Sequence, residues 1–258
     1  MNDMTPNAVA LVTGGTAGIG LACAEALLRS GTRRIVIAGR NEARGLQARD
    51  LLRQRVPDAD VRFVAADVMT PAGSTLAAQT CIDAFGRIDT LVSCAGGNPK
   101  PRLMHETPIE KVPEIITSIT SGVLLPVRAT LDHMMRAGSG SIICIASDAA
   151  KVATPGEVAI GAAMAAIVMF CRGLAIEAKR SHIRVNCLTP SIVRDTPFYD
   201  ELMADPFSAR LFSKAERLAS LGVVVPDDLA ALVAFLAGPG ASRLTGQTIS
   251  VNGGISAA

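Results

Sequence analysis

The 258-residue sequence predicts one α/β domain: a doubly wound, mostly parallel sheet of seven strands with helices on both faces. Two observations predict it. Seven short, nearly continuous apolar runs alternate with longer segments of helical period, the order that parallel strands and crossover helices require. The first run ends in Thr13-Gly14-Gly15-Thr16-Ala17-Gly18-Ile19-Gly20, a glycine-rich turn that opens a helix. No linker, repeat or composition shift divides the chain, so residues 1–258 read as a single unit with right-handed crossovers.

Taken in order, Ala8–Val12 is uniformly apolar, as a strand buried on both faces must be. Ile19–Arg29 is an amphipathic helix that Gly31 stops. Arg34–Ala38 is a second buried strand, and Gly39-Arg40-Asn41 leads from it into a charged helix to about Arg55. Val61–Ala65 forms a third strand ending near Asp67, with a helix over Leu76–Phe85 closed by Gly86. Asp89–Val92 is the fourth strand, followed by Ser93-Cys94-Ala95-Gly96-Gly97. The next helix, from about Glu110 to Arg136, carries Pro113 and Pro126, which predicts a kink or a later start. Ser141–Ala146 is the fifth strand, Val158–Lys179 the most apolar helix and Ile183–Leu188 the sixth strand. After Pro190 the alternation breaks into an excursion over about residues 191–222. A helix at Asp227–Leu236 and a strand at Gln247–Val251, closed by Asn252-Gly253-Gly254, complete the chain.

Composition narrows the function classes. A formal charge of +2 with no basic run or aromatic–basic interleaving argues against nucleic acid as a partner. Met1–Asn7 has neither the basic start nor the apolar core of a signal peptide. The most apolar uncharged stretch, Val158–Cys171, is shorter than the roughly 20 residues that span a bilayer, so it reads as a buried helix rather than a membrane segment. Six cysteines without a CxxC pair lie inside apolar elements, which points to a reducing, cytoplasmic setting. No His, Cys or carboxylate cluster has metal-ligand spacing.

In an open parallel sheet, ligands bind beyond the carboxyl ends of the strands, at the point where strand order reverses. The informative residues fall there. Thr13–Gly20 follows the first strand, Arg40 the second, Asp67 the third, Ser93–Gly96 the fourth and Ser147 the fifth. Glycines at 14, 18 and 20 let a pyrophosphate approach the backbone, and the helix starting near Ile19 offers free N–H groups and a positive dipole end.

These residues resemble the classical short-chain dehydrogenase/reductase family along nearly the whole chain. The matching positions are Thr13-Gly14 with Thr16 and Gly18-Ile19-Gly20, Asp67-Val68, the Ala95-Gly96 of an altered Asn-Asn-Ala-Gly motif, and Ser147. Ile183-Arg184-Val185-Asn186, Pro190 and Thr245-Gly246 through Val251-Asn252-Gly253-Gly254 complete the match. The resemblance implies a Rossmann-type sheet, Asp67 near adenine, Gly96 near the adenosine, a lid over residues 191–222 and Thr196 near the nicotinamide amide. Ser191 replaces the usual glycine after Pro190, and the spacing on to Thr196 is one residue longer than the family's. An acidic residue after the second strand would hold the ribose hydroxyls of NAD. Arg40 stands there instead and can pair with a 2′-phosphate, so NADP(H) is expected over NAD(H).

The family polarises a carbonyl with a serine, protonates it with a tyrosine and lowers the tyrosine pKa with a lysine four residues on. Ser147 matches the serine, but counting 13 residues onward reaches Ile160, and four more reach Met164. Ile160 also lies 26 residues before Asn186, the family's usual spacing, so two anchors agree on the register. A supporting asparagine in the preceding helix is replaced by Ile119. Positioned acid–base catalysis contributes about 10²–10⁴-fold, or roughly 3–5 kcal/mol of barrier, and neither Ile160 nor Met164 can supply it. Tyr199, the only tyrosine, is one substitute; Asp148, Lys151, Glu157, His105 and Asp195 are others on predicted loops or element ends near the same edge. Cys94 and Cys144 sit at strand ends without an activating base nearby. Phe198, Tyr199, Phe207 and Phe212, with Met203 and Leu211, suggest either an apolar pocket wall or packing of the lid.

Three readings stay open. One is an NADP(H)-binding oxidoreductase with an atypical active site acting on a small, apolar carbonyl, alcohol or enone; a polarised C=C bond suits it, since water or a lid residue could protonate carbon. Another is a non-redox isomerase, lyase or hydrolase reusing the pocket with Ser147, and the third a nucleotide-binding partner without turnover. A homodimer or homotetramer through the two long helices is expected by resemblance.

Overall fold

The computed structural model describes residues 7–258. The N-terminal leader expectation concerns residues 1–6 almost entirely, and these lie outside the described residues.

Seven strands and eight helices alternate: β1 (Val9–Thr13), α1 (Gly18–Arg29), β2 (Arg34–Gly39), α2 (Glu42–Arg55), β3 (Asp60–Ala65), α3 (Pro71–Phe85) and β4 (Thr90–Ser93) come first. α4 (Lys111–Ala137), β5 (Gly140–Ile145), α5 (Val158–Ala178), β6 (Ile183–Pro190), α6 (Pro197–Met203), α7 (Pro206–Leu218), α8 (Pro226–Ala237) and β7 (Thr248–Val251) follow. The sheet order is β3-β2-β1-β4-β5-β6-β7, and every neighbouring pair is parallel. The order reverses between β1 and β4, the point beyond which such sheets hold their ligands.

Both faces of the sheet are covered. One core joins β1, β4, β5 and β6 to α3, α4 and α5 through residues such as Ala77, Val127 and Ile167. The other joins them to α1, α2 and α8 through Leu27, Leu52 and Val233. A fully buried Leu or Ile in either contributes about 1.5–3 kcal/mol.

Several boundaries differ from expectation for physical reasons. α3 starts at Pro71, five residues earlier, because Thr70 caps it by accepting from the Gly73 N–H at 3.1 Å. α4 continues unbroken through Pro126 from Lys111 to Ala137, so the second proline neither delays nor ends it. The excursion holds two helices, each with a side-chain cap and proline at its start: Thr196 accepts from Tyr199 N–H at 3.0 Å and Asp205 from Ser208 N–H at 2.9 Å. α5 with its following turn, Val158–Ser181, is long and apolar enough to cross a membrane, contrary to the shorter span expected. Its Ile160, Ala163, Ile167, Cys171 and Leu174 pack in the core against the sheet and α4.

Candidate functional site

The carboxyl ends of the strands open onto one cleft of about 720 Å³. Its floor is the glycine turn between β1 and α1. Gly14 has φ +70°, and a Cβ there would stand 2.8 Å from the Cys94 carbonyl oxygen. At Gly20 a Cβ would stand 2.3 Å from the Gly14 carbonyl oxygen, so α1 begins hard against its own turn. The glycines at 14 and 20 are therefore demanded by protein backbone, before any ligand approaches. The end of α1 that faces the cleft carries no side-chain cap and no acidic residue in its first turn, which leaves its N–H groups and dipole directed at whatever binds.

The cleft brings together Gly14, Thr16, Gly18, Ile19, Gly20, Arg40, Asp67, Val68, Ala95, Gly96, Pro190 and Thr196, drawn from five strand ends and the segment after Pro190. Thr13 is the exception. It is buried within β1, where its hydroxyl accepts from the Cys94 N–H at 3.3 Å and ties β1 to β4, away from the cleft wall. Asp67 Oδ1 accepts from the Met69 N–H at 3.1 Å, which fixes the turn after β3. Beyond β2, the Asn41 side chain caps α2 by accepting from the Arg44 N–H at 2.9 Å. The cap places Arg44 beside Arg40 on the same cleft, and neither guanidinium enters an ion pair among the described residues. Sequence reasoning missed Arg44, although its place in the first turn of the charged helix after β2 was a readable signal.

At the other end, Ser147 follows β5, and its oxygen accepts from the Ala149 N–H at 3.2 Å, which leaves its own O–H to donate into the cleft. The wall beside it is hydrocarbon. Ile160 is 8% exposed, Ile119 2%, and Met164 is half-buried; all three line the cleft. The positions where the resemblance calls for tyrosine, lysine and asparagine thus hold three apolar side chains on one wall.

The six candidate substitutes separate cleanly. Lys151, His105 and Asp195 do not line the cleft. Lys151 is held by Ser250, by the Ala258 carbonyl oxygen at 2.8 Å and by Asp148 at 3.5 Å. Asp148 lines the cleft but is buried and saturated: it accepts from Asn252, from Ser256 Oγ at 2.9 Å and from Ser250 Oγ at 3.2 Å. Tyr199 also lines the cleft, yet its hydroxyl donates to Glu216 Oε1 at 2.9 Å. Partial burial and that bond hold the phenol above the ordinary tyrosine range. Glu157 lines the cleft with no ion-pair partner among the described residues, and burial pushes its carboxyl up to about 7. Burial likewise pushes the Cys94 thiol up to about 12, so it stays neutral and unreactive.

The aromatics of the 191–222 segment both line the cleft and pack within the segment. Phe198, Tyr199, Leu211 and Phe212 face the cleft while packing around Ile192 and Leu202. Phe207 instead sits on Gly156, whose φ is +87° and where a Cβ would stand 2.6 Å from the ring. Met203 packs within the lid, off the cleft wall. The lid rests on the floor where Gly18, at φ +49°, faces the Thr196 methyl; a Cβ would meet it at 3.3 Å. Among the described residues no group of three or more His, Cys, Asp or Glu could hold a metal.

With this geometry in view, residues 14–256 match the family model described as Enoyl-(Acyl carrier protein) reductase. The chain is 34% identical over 248 residues to 3-oxoacyl-[acyl-carrier-protein] reductase FabG of Chlamydia pneumoniae, covering 95% of each. Its fold is similar, with a TM-score of 0.85 and 29% identity over 97% of this chain and 98% of the other, to 3-ketoacyl-(acyl-carrier-protein) reductase from Brucella melitensis in complex with NADH. A short chain oxidoreductase from Pseudomonas aeruginosa, solved with NADPH and described as containing an atypical catalytic center, matches with a TM-score of 0.90 and 30% identity over the full length of both chains. The coextensive match in sequence and fold, together with the glycine turn at the sheet's reversal point, establishes that this chain belongs to the short-chain dehydrogenase/reductase family.

Proposed function

We propose that the chain is an NADP(H)-dependent oxidoreductase with an atypical active site, acting on a small, apolar carbonyl, alcohol or enone. One observation carries the reading: a single cleft runs from Arg40, Arg44 and Asp67, across the uncapped start of α1, to Ser147 and then to an apolar lid. In this reading Arg40 and Arg44 hold the 2′-phosphate, and the glycine turn takes the pyrophosphate. Asp67 and Val68 border the adenine, Ala95 and Gly96 the adenosine ribose, and Pro190 and Thr196 the nicotinamide. NADPH, when bound, supplies hydride to the substrate carbon. Ser147 orients and polarises the substrate oxygen, while Ile160, Met164 and Phe212 exclude water and favour an apolar substrate body.

A second reading is favoured by the same apolar wall. With hydrocarbon at 119, 160 and 164, the chain could hold the nucleotide as a regulatory or structural partner without turnover. Calorimetric titration with NADPH and NADH, followed by a panel of ketones, enones and imines, tests both. Tighter NADPH binding with oxidation of the cofactor supports the first; binding without oxidation across the panel supports the second; no binding overturns both.

We also propose assembly as a homodimer or homotetramer through α4 and α5, where Ile116, Met169 and Ile176 remain exposed on the single chain. Six free thiols, five of them buried, support a reducing, cytoplasmic setting.

A further inference from the structure

We propose that Glu157 is the general acid of this site, delivering its carboxyl proton to the substrate oxygen that Ser147 holds. The proposal rests on the oxidoreductase reading above and names the group that replaces the missing tyrosine.

Geometry comes first. Glu157 immediately precedes α5, three residues before Ile160, and both line the same cleft as Ser147. It occupies the position from which a side chain normally caps the helix, yet it makes no capping bond. The Thr154 side chain hydrogen-bonds its carboxyl, and Pro155 and Ile160 line the same cleft. The other charged groups near this half of the cleft are accounted for. Asp148, beyond β5, is saturated by Asn252, Ser256 and Ser250, and Tyr199 on α6 is held by Glu216. Glu201 on α6 and Lys214 on α7 are exposed at the mouth. Behind the wall, a pocket of about 220 Å³ between the α4 end and Gly156 holds Lys100, Arg102 and Lys111, the last paired with Glu114 at 2.7 Å. None of these cations is a partner of the Glu157 carboxyl.

Burial without a cation favours the neutral acid, and a value of about 7 leaves both forms populated at neutral pH, as proton transfer requires. The step balances. NADPH, when bound, would supply the hydride that adds to the carbonyl carbon, and would itself be oxidised to NADP⁺. As the C=O π pair moves to oxygen, the Glu157 O–H bond breaks and its proton goes to that oxygen, giving the alcohol and a carboxylate. Bulk water at the open mouth returns the proton.

The test uses the full chain and the variants Glu157→Gln and Glu157→Asp. NADPH titration calorimetry should give equal affinity for wild type and Glu157→Gln. With a substrate from the panel, Glu157→Gln should lower kcat by about 10²–10⁴-fold at nearly constant KM and abolish the fall in reduction rate above about pH 7. Glu157→Asp, which keeps an acid, should retain part of kcat. Without any cofactor, carboxyl NMR of the wild-type chain should show one glutamate titrating near 7, absent in Glu157→Gln. No such titration, or an unchanged kcat in a Glu157→Gln chain that still binds NADPH, would overturn this proposal alone. Failure of the wild-type chain to bind NADPH would overturn the underlying reading and the proposal with it.

Discussion

The Tyr199 hydroxyl donates to Glu216 Oε1 at 2.9 Å, and the same oxygen accepts from Arg194 Nε at 2.9 Å. The arginine bond holds the Glu216 carboxyl below its usual range, so the acceptor stays anionic and keeps the phenol proton. The chain's only tyrosine is thus a strut between α6 and α7. Tyr199→Phe should change kcat by less than about threefold while loosening the lid, seen as faster proteolysis between α6 and α7. A loss of 10²-fold or more in kcat would instead make Tyr199 the acid.

Arg40 and Arg44 face one cleft from the loop and first turn after β2, with no carboxylate paired to either among the described residues. A charge-assisted bond to phosphate contributes about 1.5–3 kcal/mol. Arg40→Glu should therefore weaken NADPH binding by roughly 10–150-fold and leave NADH within a fewfold, measured by calorimetry. Equal losses for both cofactors would refute a 2′-phosphate role.

Asp148 receives Asn252, Ser250 and Ser256 and pairs with Lys151, fastening the segment after β7 to the loop after Ser147. Removing a buried, multiply bonded carboxylate leaves its donors stranded. Asp148→Ala should cost on the order of 2–4 kcal/mol and lower Tm by roughly 5–15 °C in a chain of this size. A shift within about 1 °C would show the network to be dispensable.

The alternation of apolar runs and helical segments was legible because both faces of the central sheet are buried, which writes a nearly continuous apolar signature into β1, β2, β4 and β5, while the edge strands β3 and β7 are only partly buried. The caps at Thr70, Thr196 and Asp205, each followed by proline, were equally legible but local, and weighing them would have found the start of α3 and both lid helices. The cleft was legible as strand ends. Its occupied and free groups were not, because the partners lie far apart: Asp148 meets Asn252 across 104 residues and Tyr199 meets Glu216 across 17. The bond of Thr13 was hidden for the same reason, its hydroxyl being met by the Cys94 N–H across 81 residues.

Glu157 couples folding to pH. Its carboxyl sits at about 7 in the folded chain against an ordinary 4.5, because burial disfavours the charged form. Between these values the folded chain keeps a proton that the unfolded chain has released, so stability falls as pH rises. The contribution is fully present below about pH 4.5 and gone once pH passes about 7, and its size is on the order of 2–3 kcal/mol. Glu157→Gln should remove this dependence, raising Tm relative to wild type by roughly 5–10 °C at pH 8 and by little at pH 4.5. Parallel Tm curves for the two proteins across that range would contradict it.

Ile160 and Met164 sit four residues apart on α5, one turn of helix, lining the same cleft as Ser147. A phenol at 160 would reach the space where Ser147 polarises an oxygen, and an ammonium at 164 would lower the phenol's pKa, so the double variant Ile160→Tyr with Met164→Lys restores what the wall lacks. Ile160 is 8% exposed, so the larger ring presses on the core and costs about 1–3 kcal/mol. Met164 is only half-buried, which lets a lysine keep its charge at the cleft. With NADPH and simple ketones, kcat/KM should rise at least about 10²-fold over wild type, and the rise should persist when Glu157→Gln is added, since the new tyrosine then carries the proton. A folded double variant that binds NADPH and gains nothing would show that the site is not limited by proton transfer at these two positions.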